Sequence, residues 1–213
     1  MKELPPDITI LENFIPPLFA DKIENLFYNR DDGSEGITGP CENNIKWQYH
    51  HNQAINPLDT THTWHDHPSN DLSGWVFTAL TCRAPTEFIT PDAATANYLF
   101  PLLYCALYAD NPNQKLLSCY RIRIVMNVRQ AFKGRTCPHR DLQFAHRTMV
   151  YYVNDSDGPT VVFDNKMNDI VEVEPKKGRA IIMGGHRYHC GTVPEKTKER
   201  FVINFNFKTT LPK

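Results

Sequence analysis

The chain has 213 residues, 41% of them hydrophobic and 22% charged, and its formal net charge at pH 7 is −1. That balance is typical of a globular protein with a sizeable core, and the near-neutral charge disfavours a broad basic surface for nucleic acid. No apolar run approaches the roughly 20 residues that span a bilayer, and the N-terminal residues lack the apolar core of an export signal, so we expect no membrane association and a cytoplasmic location.

The first part of the chain, about 1–115, is predicted to supply helices and loops. Alternating residues over 8–14 predict a short first strand, and an amphipathic helix is predicted over about 18–29. Helical spacing of the apolar residues over 72–80 predicts a second helix. A third helix is predicted to begin at Thr90-Pro91, and Pro101 should kink or divide it.

From about residue 116 the polar and apolar residues alternate with a period of two, which predicts strands separated by polar turns. The predicted strands cover 121–128, 149–153, 160–164, 170–174, 179–183 and 200–207. We therefore expect a single α+β domain over 1–213, with an antiparallel barrel or jelly roll at about 116–208 that is supported by N-terminal helices.

Three residues have side chains that could together bind a metal ion. His139 and Asp141 are two residues apart, so on a strand both side chains would reach one ion, and His189 follows on a later strand. Two histidines and one carboxylate form the facial triad of non-haem Fe(II) oxygenases. The sequence thus predicts a metal site, whose residues would also be catalytic, at His139, Asp141 and His189.

Other histidines offer weaker alternatives. His186 could replace His189, but it lies beside two glycines and is better explained as a solvated loop residue. The cluster His65-Asp66-His67 lies in a polar loop and is better explained as surface histidines. In the same long loops, Trp47, Tyr49 and Trp64 could line a substrate mouth or belong to the core.

Arg200 lies on the last predicted strand, eleven residues after His189. Its strand has a polar face, which we expect to turn into the barrel, and an aromatic face, which we expect to pack against the helices. A planar guanidinium suits a carboxylate held by two hydrogen bonds, so Arg200 is the candidate anchor for a dicarboxylic co-substrate. The plainer alternative is a surface salt bridge.

Further co-substrate contacts are predicted at polar positions near the same strands. Thr160 and Tyr152 flank a strong turn, and either could donate a hydrogen bond to a carboxylate or be ordinary sheet residues. Asn127 is a third candidate. Together with Arg121 and Arg123 it lies on the polar face of a central strand, where one or two of the three should line the cavity.

The segment from about Arg121 to Phe207 resembles the 2-oxoglutarate- and Fe(II)-dependent oxygenase family, and within it the prolyl 4-hydroxylase-like members and small, often virus-encoded relatives. The stretches that resemble the family are CPHRD (137–141), TMVYYVNDSDGPTVVFD (148–164), PKKGRAIIMGG (175–185) and YHCGTVPEKTKERFVINFNF (188–207). The opening ITILENFIPPLFADKIENLF resembles the family's first strand and helix.

The resemblance implies a double-stranded β-helix whose cofactors are Fe(II), 2-oxoglutarate and O2. It implies iron ligands at His139, Asp141 and His189, with Arg200 on the distal carboxylate of 2-oxoglutarate and Thr160 as a further contact. The implied reaction hydroxylates a substrate and releases succinate and CO2. Prolyl hydroxylases usually have lysine where this chain has Arg200, so the substrate stays unidentified. Asp141 argues against the halogenating branch, which lacks this carboxylate.

Two other functions are weighed against this one. A non-catalytic jelly roll could bind a ligand or a protein partner, but it would not need all four site residues. A nucleic-acid oxidative demethylase would need a basic groove with stacking aromatics, which the near-neutral charge disfavours. We therefore expect a small-molecule or peptide substrate. If the protein is virus-encoded, we expect it to be located in the host cytoplasm. The sequence predicts no oligomeric state.

Overall fold

The computed structural model describes residues 3–27, 48–50, 74–84, 87–129 and 134–210. In these ranges, two helices pack on one side of a pair of antiparallel sheets. The helices are α1 (Pro17–Asn25) and α2 (Ala93–Asp110). Among the described residues, no helix combines the length and the apolar character that crossing a membrane would require.

The larger sheet has eight strands and provides the long central strands of the fold. Its order is β1-β9-β6-β11-β5-β3-β2, with β4 paired to β3 at one edge. The strands are β1 (Ile8–Leu11), β2 (Gln48–His50), β3 (Gly74–Ala84), β4 (Glu87–Ile89), β5 (Leu116–Val128), β6 (Arg147–Tyr152), β9 (Ala180–Gly184) and β11 (Glu199–Thr209).

The smaller sheet has three strands in the order β10-β7-β8. They are β7 (Thr160–Phe163), β8 (Asp169–Val173) and β10 (His189–Gly191). Two isolated antiparallel bridges, Arg135 with Thr192 and His139 with His189, attach the segment 135–139 to the free edge of β10. The two sheets face each other as in a double-stranded β-helix, and this confirms the predicted α+β fold with its helical support.

Alternation along the central strands separates two cores. The outer face of the large sheet buries its aromatic side chains, such as Phe205 and Phe207, against apolar residues of both helices, such as Ile23 and Leu103. The inner face joins residues such as Val202 to the small sheet. The prediction that β11 turns an aromatic face to the helices and a polar face inward is confirmed, and the polar inner face creates the interior cavity.

The predicted helix over 72–80 is wrong. Residues 74–84 form β3, which pairs with β5 from Trp75 opposite Met126 to Leu80 opposite Ile122. A short apolar run fits helical and strand spacing equally well, and here aromatic and β-branched residues favour the sheet. One edge of β5 is paired with β11, and the segment 74–84 pairs with the other edge. The sequence pattern alone does not reveal this pairing.

Pro101 does not divide α2, which runs unbroken from Ala93 to Asp110. The proline is exposed, while Leu99, Leu102 and Leu103 beside it are fully buried, so packing outweighs the loss of one backbone hydrogen bond. The helix is capped by Asp92, whose carboxylate accepts a hydrogen bond of 3.0 Å from the Thr95 amide. The first helix was predicted over about 18–29, and in the structure α1 ends earlier, at Asn25. Positions 28 and 29 lie outside the described residues.

Candidate metal centre and co-substrate cavity

The two histidines of the predicted triad are cross-strand partners. His139 and His189 face each other in an antiparallel bridge, and each backbone amide donates to the other residue's carbonyl at 3.0 Å. Their ring centroids are 4.7 Å apart. Residues opposite each other in such a pair project to the same side of the sheet, so the backbone fixes both imidazoles toward one point.

The ring nitrogens of both imidazoles are oriented for metal binding. Nδ1 of His139 lies 3.0 Å from the Cys137 carbonyl, and Nδ1 of His189 lies 3.5 Å from the Arg187 carbonyl. A ring that donates from Nδ1 to a carbonyl presents the lone pair of Nε2 as a ligand. Burial, together with the neighbouring His189, lowers the pKa of His139 to about 4, so its imidazole is neutral at pH 7.

Asp141 completes the cluster. Each of its carboxylate oxygens is 3.8 Å from one Nε2 atom, Oδ1 from that of His139 and Oδ2 from that of His189. The ligand atoms of the three residues all lie within 4.8 Å of one another. Two imidazole nitrogens and a carboxylate oxygen converging in this way match the donor set of the facial triad, so these residues fit Fe(II).

The Asp141 carboxylate is held from behind by three side chains. Arg121 forms a salt bridge to Oδ1, while Asn206 and Thr148 donate to Oδ2 at 2.8 and 3.2 Å. Burial raises the pKa of this carboxyl, but Arg121 and the two histidines more than offset the effect and hold it well below its usual range. Asp141 is therefore ionised, and its orientation is fixed before any metal binds.

Arg200 lies in the same cavity and is 3% exposed. Its guanidinium donates to Thr160 Oγ1 at 2.7 Å and to Asn127 Oδ1 at 3.3 Å, while Nε is buried without a hydrogen-bond partner. None of the ion pairs among the described residues gives it a carboxylate partner. A buried guanidinium that has only neutral partners is costly unless an anion binds it, which contradicts the surface-salt-bridge alternative.

Two glycines leave room for the Arg200 side chain. A Cβ atom on Gly191 would lie 3.3 Å from Nη1 of Arg200, and one on Gly158 would lie 3.1 Å from its Cδ and 2.4 Å from the Thr192 carbonyl oxygen. Any larger residue at these positions would crowd the guanidinium or displace the backbone around it. The absence of side chains here keeps the cavity open beside Arg200.

The separation of the metal cluster and Arg200 suits a dicarboxylate. His189 pairs with Val162, and Gly191 pairs with Thr160, the residue that contacts Arg200. His189 and Gly191 are two residues apart on β10, which corresponds to about 6.5 Å along the strand. This distance is comparable to the length of a five-carbon dicarboxylic acid. The cavity therefore offers a metal site at one end and a cation at the other.

The remaining predicted contacts divide into three groups. Asn127 and Thr160 line the cavity and bind Arg200 directly. Tyr152 is fully buried beneath the Arg200 guanidinium, 5.8 Å from ring centroid to Cζ, and its hydroxyl donates to the Val173 carbonyl at 3.4 Å. Of the two arginines on β5, Arg123 lines the cavity, and Arg121 pairs with Asp141 instead.

Of the histidines that were considered as weaker alternatives, the structure describes only His186. His186 is exposed and lies 3.5 Å from Asp7, away from the triad, as expected for a loop residue. The cluster at 65–67 and the aromatic residues Trp47 and Trp64 lie outside the described residues. The Tyr49 backbone belongs to β2 at the edge of the large sheet.

Two residues that hold Asp141, Thr148 and Asn206, were not assigned to the site from the sequence. Asn206 was recognised as part of the inward polar face of β11, and Thr148 carried no distinguishing signal. Their contact with Asp141 depends on the register in which β6 and β11 pair Thr148 with Asn206. Alternation gives the face of a strand, but it does not give this register.

Comparison with known proteins supports the geometry. Residues 126–208 match the family model described as the 2OG-Fe(II) oxygenase superfamily. No curated protein matches the sequence of the chain.

Solved structures share the fold at low sequence identity. An oxidoreductase of the 2OG-Fe(II) oxygenase family from Burkholderia pseudomallei has a TM-score of 0.63 at 12% identity over 95% of this chain and 85% of its own. A prolyl hydroxylase from Trichoplax adhaerens, in complex with a peptide of hypoxia inducible factor, has a TM-score of 0.55 at 12% identity over 94% and 83%. A prolyl-4-hydroxylase from Pseudomonas putida has a TM-score of 0.52 at 14% identity over 95% and 92%.

The family model covers both predicted histidine ligands, Asp141 and Arg200, and the fold extends over nearly the whole chain. The resemblance stated from the sequence is thereby confirmed, together with the cofactors that the family uses, Fe(II), 2-oxoglutarate and O2. Residues 126–208 of this chain thus match the 2OG-Fe(II) oxygenase superfamily, and the chain shares the fold of solved members of that family.

Proposed function

We propose that the protein is an Fe(II)- and 2-oxoglutarate-dependent dioxygenase that hydroxylates a substrate and releases succinate and CO2. His139, Asp141 and His189 would hold Fe(II) on one face of its coordination sphere. The opposite face would stay open for 2-oxoglutarate and O2. Bound together, these cofactors supply the oxidising chemistry, and the protein supplies orientation, charge and exclusion of water.

Arg200 would bind the distal carboxylate of 2-oxoglutarate. The residue is buried at the far end of the cavity from the triad, and its two neutral partners, Thr160 and Asn127, aim the guanidinium. Two parallel hydrogen bonds from one guanidinium fix both the position and the tilt of a carboxylate. The co-substrate would thus be oriented at one end by Arg200 and at the other by the metal.

The residues around Asp141 would keep the metal site in one geometry. Arg121, Asn206 and Thr148 together fill the hydrogen-bonding positions on the rear of the carboxylate. Partners of this kind raise metal affinity by removing the need to orient the ligand when the metal binds. They also keep Asp141 ionised, so it binds a divalent ion without first losing a proton.

The observation that carries the proposal is the presence, in one cavity, of a complete triad and a buried Arg200 that has no carboxylate partner among the described residues. A binder without catalysis would need neither the open metal face nor the distal cation. The experiment is a substrate screen by mass, in which the anaerobically loaded protein is exposed to O2 with candidate amino acids, peptides and nucleosides. A gain of one oxygen that requires both Fe(II) and 2-oxoglutarate supports the proposal.

Proline-containing peptides belong in that screen, because two solved structures that share the fold are prolyl hydroxylases. Binding of a candidate without 2-oxoglutarate consumption, at saturating Fe(II) and O2, would support the non-catalytic alternative. Oxidation confined to methylated nucleosides would support the demethylase alternative. Either result would overturn the hydroxylase proposal in its stated form.

A further inference from the structure

A second arginine in the cavity has no side-chain partner in the part of the chain that the structure describes. Arg123 lies on the inward face of β5 and lines the same cavity as His139, His189 and Arg200. Among the described residues its guanidinium takes part in no hydrogen bond and no ion pair. Burial and the neighbouring Arg121 cation lower its pKa to about 10, and Asp141 is the one carboxylate that acts against this shift. A charged group in this position is costly, and that cost calls for a ligand.

Asn204 lies directly opposite Arg123 across β5 and β11. Cross-strand neighbours have Cβ atoms about 5 Å apart, so the two side chains can reach one bound group. Asn204 also lines the cavity, and its amide oxygen is buried without a hydrogen-bond partner. Arg123 and Asn204 thus form a polar pair whose hydrogen-bonding groups are unused by the described part of the chain.

This pair is distinct from the group that would hold 2-oxoglutarate at Arg200. On β11, Arg200 is four residues before Asn204, and it lies opposite Asn127 of β5. Four strand residues correspond to about 13 Å of backbone. One row further toward the metal, Arg121 pairs with Asn206, and both are bound to Asp141. Arg123 and Asn204 therefore lie next to the metal cluster.

Charge balance indicates what binds there. Arg121 compensates Asp141, and the two positive charges of Fe(II) match the two negative charges of 2-oxoglutarate. Counted over these groups, Arg200 and Arg123 then leave the cavity with a net surplus of two positive charges. A substrate with a negative charge would relieve this excess.

We infer that Arg123, assisted by Asn204, binds a carboxylate of the substrate beside the metal. This inference rests on the proposed function. The substrate class is an acid of low molecular mass, such as an amino acid with a free carboxylate. Arginine's planar fork gives such a group two hydrogen bonds, and the Asn204 amide nitrogen can donate a third. The orphaned Oδ1 of Asn204 can accept from the ammonium group of the amino acid. The role of Arg123 is to position the substrate, and it differs from the role of Arg200, which serves the co-substrate.

The test uses Mn(II)-loaded protein with saturating 2-oxoglutarate under argon, and measures the paramagnetic relaxation of ligand protons by NMR. The probes are the free L-amino acids and the matching L-amino acid amides, which lack the α-carboxylate. The amides of aspartate and glutamate keep a side-chain carboxylate, so they distinguish the two sources of that group. This readout reports binding near the metal without any turnover.

The variants are Arg123→Met, Asn204→Leu and, as a matched control, Arg129→Met, which removes an exposed arginine just beyond β5. We expect metal-dependent relaxation of one or more acids and a much weaker effect with the corresponding amides. Arg123→Met should weaken acid binding by at least about ten-fold, equivalent to 1.4 kcal/mol. Asn204→Leu should weaken it less, and Arg129→Met should leave it unchanged.

Three outcomes would overturn the inference. They are equal binding of acids and of amides that have no side-chain carboxylate, no carboxylate-dependent binding by the wild type, and unchanged acid binding in Arg123→Met. A loss of 2-oxoglutarate affinity in Arg123→Met, as large as that in Arg200→Ala, would assign Arg123 to the co-substrate instead. Failure of the wild type to bind Mn(II) or 2-oxoglutarate at all would refute the proposed function itself, and the same samples report it.

Discussion

His139 and His189 are joined through their backbones, which exchange two hydrogen bonds of 3.0 Å across one antiparallel bridge. The two imidazoles are thus fixed by the sheet itself, and Asp141 follows two residues after the first. We predict that replacing any of the three by alanine nearly abolishes Fe(II) binding, because a three-ligand site has no spare ligand. Anaerobic dialysis followed by iron analysis measures this, with one Fe(II) per chain expected for the wild type.

His186→Ala is the matched control for the distal ligand. His186 is three residues from His189, is exposed, and lies beside Asp7. The variant should retain iron at the wild-type level. Loss of iron in His186→Ala together with retention in His189→Ala would show that the wrong histidine has been assigned.

Asn206→Leu tests the residues that hold Asp141. Asn206 donates to the Asp141 carboxylate at 2.8 Å and accepts from Arg121 at 2.7 Å. Removing such a partner typically costs about 10- to 100-fold in metal affinity, so we expect a weakening in that range. Competition of Fe(II) with a chelator gives the affinity, and Lys208→Ala, at an exposed position of the same strand, provides the control. Equal affinity in Asn206→Leu and wild type would show that Asp141 needs no such support.

Gly191→Ala should affect the co-substrate and spare the metal. The added Cβ would lie 3.3 Å from Nη1 of Arg200, tight enough to displace the guanidinium by a few tenths of an ångström. A displaced fork loses alignment with a carboxylate, and we expect 2-oxoglutarate affinity to fall by about three- to ten-fold. Calorimetric titration at saturating Mn(II) measures the change. A variant that binds 2-oxoglutarate normally would place the co-substrate elsewhere in the cavity.

A pH-dependent prediction concerns the attachment of α2 to the sheet. Asp110, at the end of α2, accepts a hydrogen bond of 2.9 Å from Arg147 on β6. Burial raises the pKa of Asp110, but Arg147 and other donors outweigh that effect and lower it below 3.8. Because the folded pKa is depressed, the pair stabilises the protein above about pH 4 and loses this contribution as the pH falls through the folded value.

Asp110→Asn should therefore reduce the free energy of unfolding by about 1–2 kcal/mol at pH 7. The difference from the wild type should shrink as the pH falls below about 4. Urea denaturation at several pH values measures both, with Glu3→Gln at an exposed position as the control. A difference that is independent of pH would show that the charge of Asp110 contributes nothing.

Much of the fold was predictable because alternation is strong in its second half. The strands from Leu116 onward and the inward polar face of β11 followed from period-two patterns. Residues 72–80 did not, because a short apolar run fits helical spacing as well, and only pairing with β5 decides the outcome. The extent of the domain over 1–213 stays a prediction.

The site was predictable to the extent that its chemistry is visible in residue type. The resemblance to the family predicted the triad and Arg200, since these residues fall in distinctive stretches, and the structure brings all four into one cavity region. The support of Asp141 by Thr148 and Asn206 could not be predicted, because it depends on strand register and on where the segment after His139 crosses the cavity. The distinct environments of Arg121 and Arg123, neighbours on one face of β5, likewise appear only in three dimensions.

The most direct test of the account is an anaerobic titration of 2-oxoglutarate into the Fe(II) protein, followed by the visible charge-transfer absorbance of the chelate. The wild type should saturate, and Arg200→Ala should keep its iron yet need at least about ten-fold more 2-oxoglutarate, since removing one partner of a buried ion pair costs about 3–5 kcal/mol before water enters. Arg200→Lys should fall between the two, because lysine keeps the charge and loses the planar fork. Unchanged 2-oxoglutarate affinity in Arg200→Ala, or no chelate absorbance in the wild type, would contradict the assignment of the cavity.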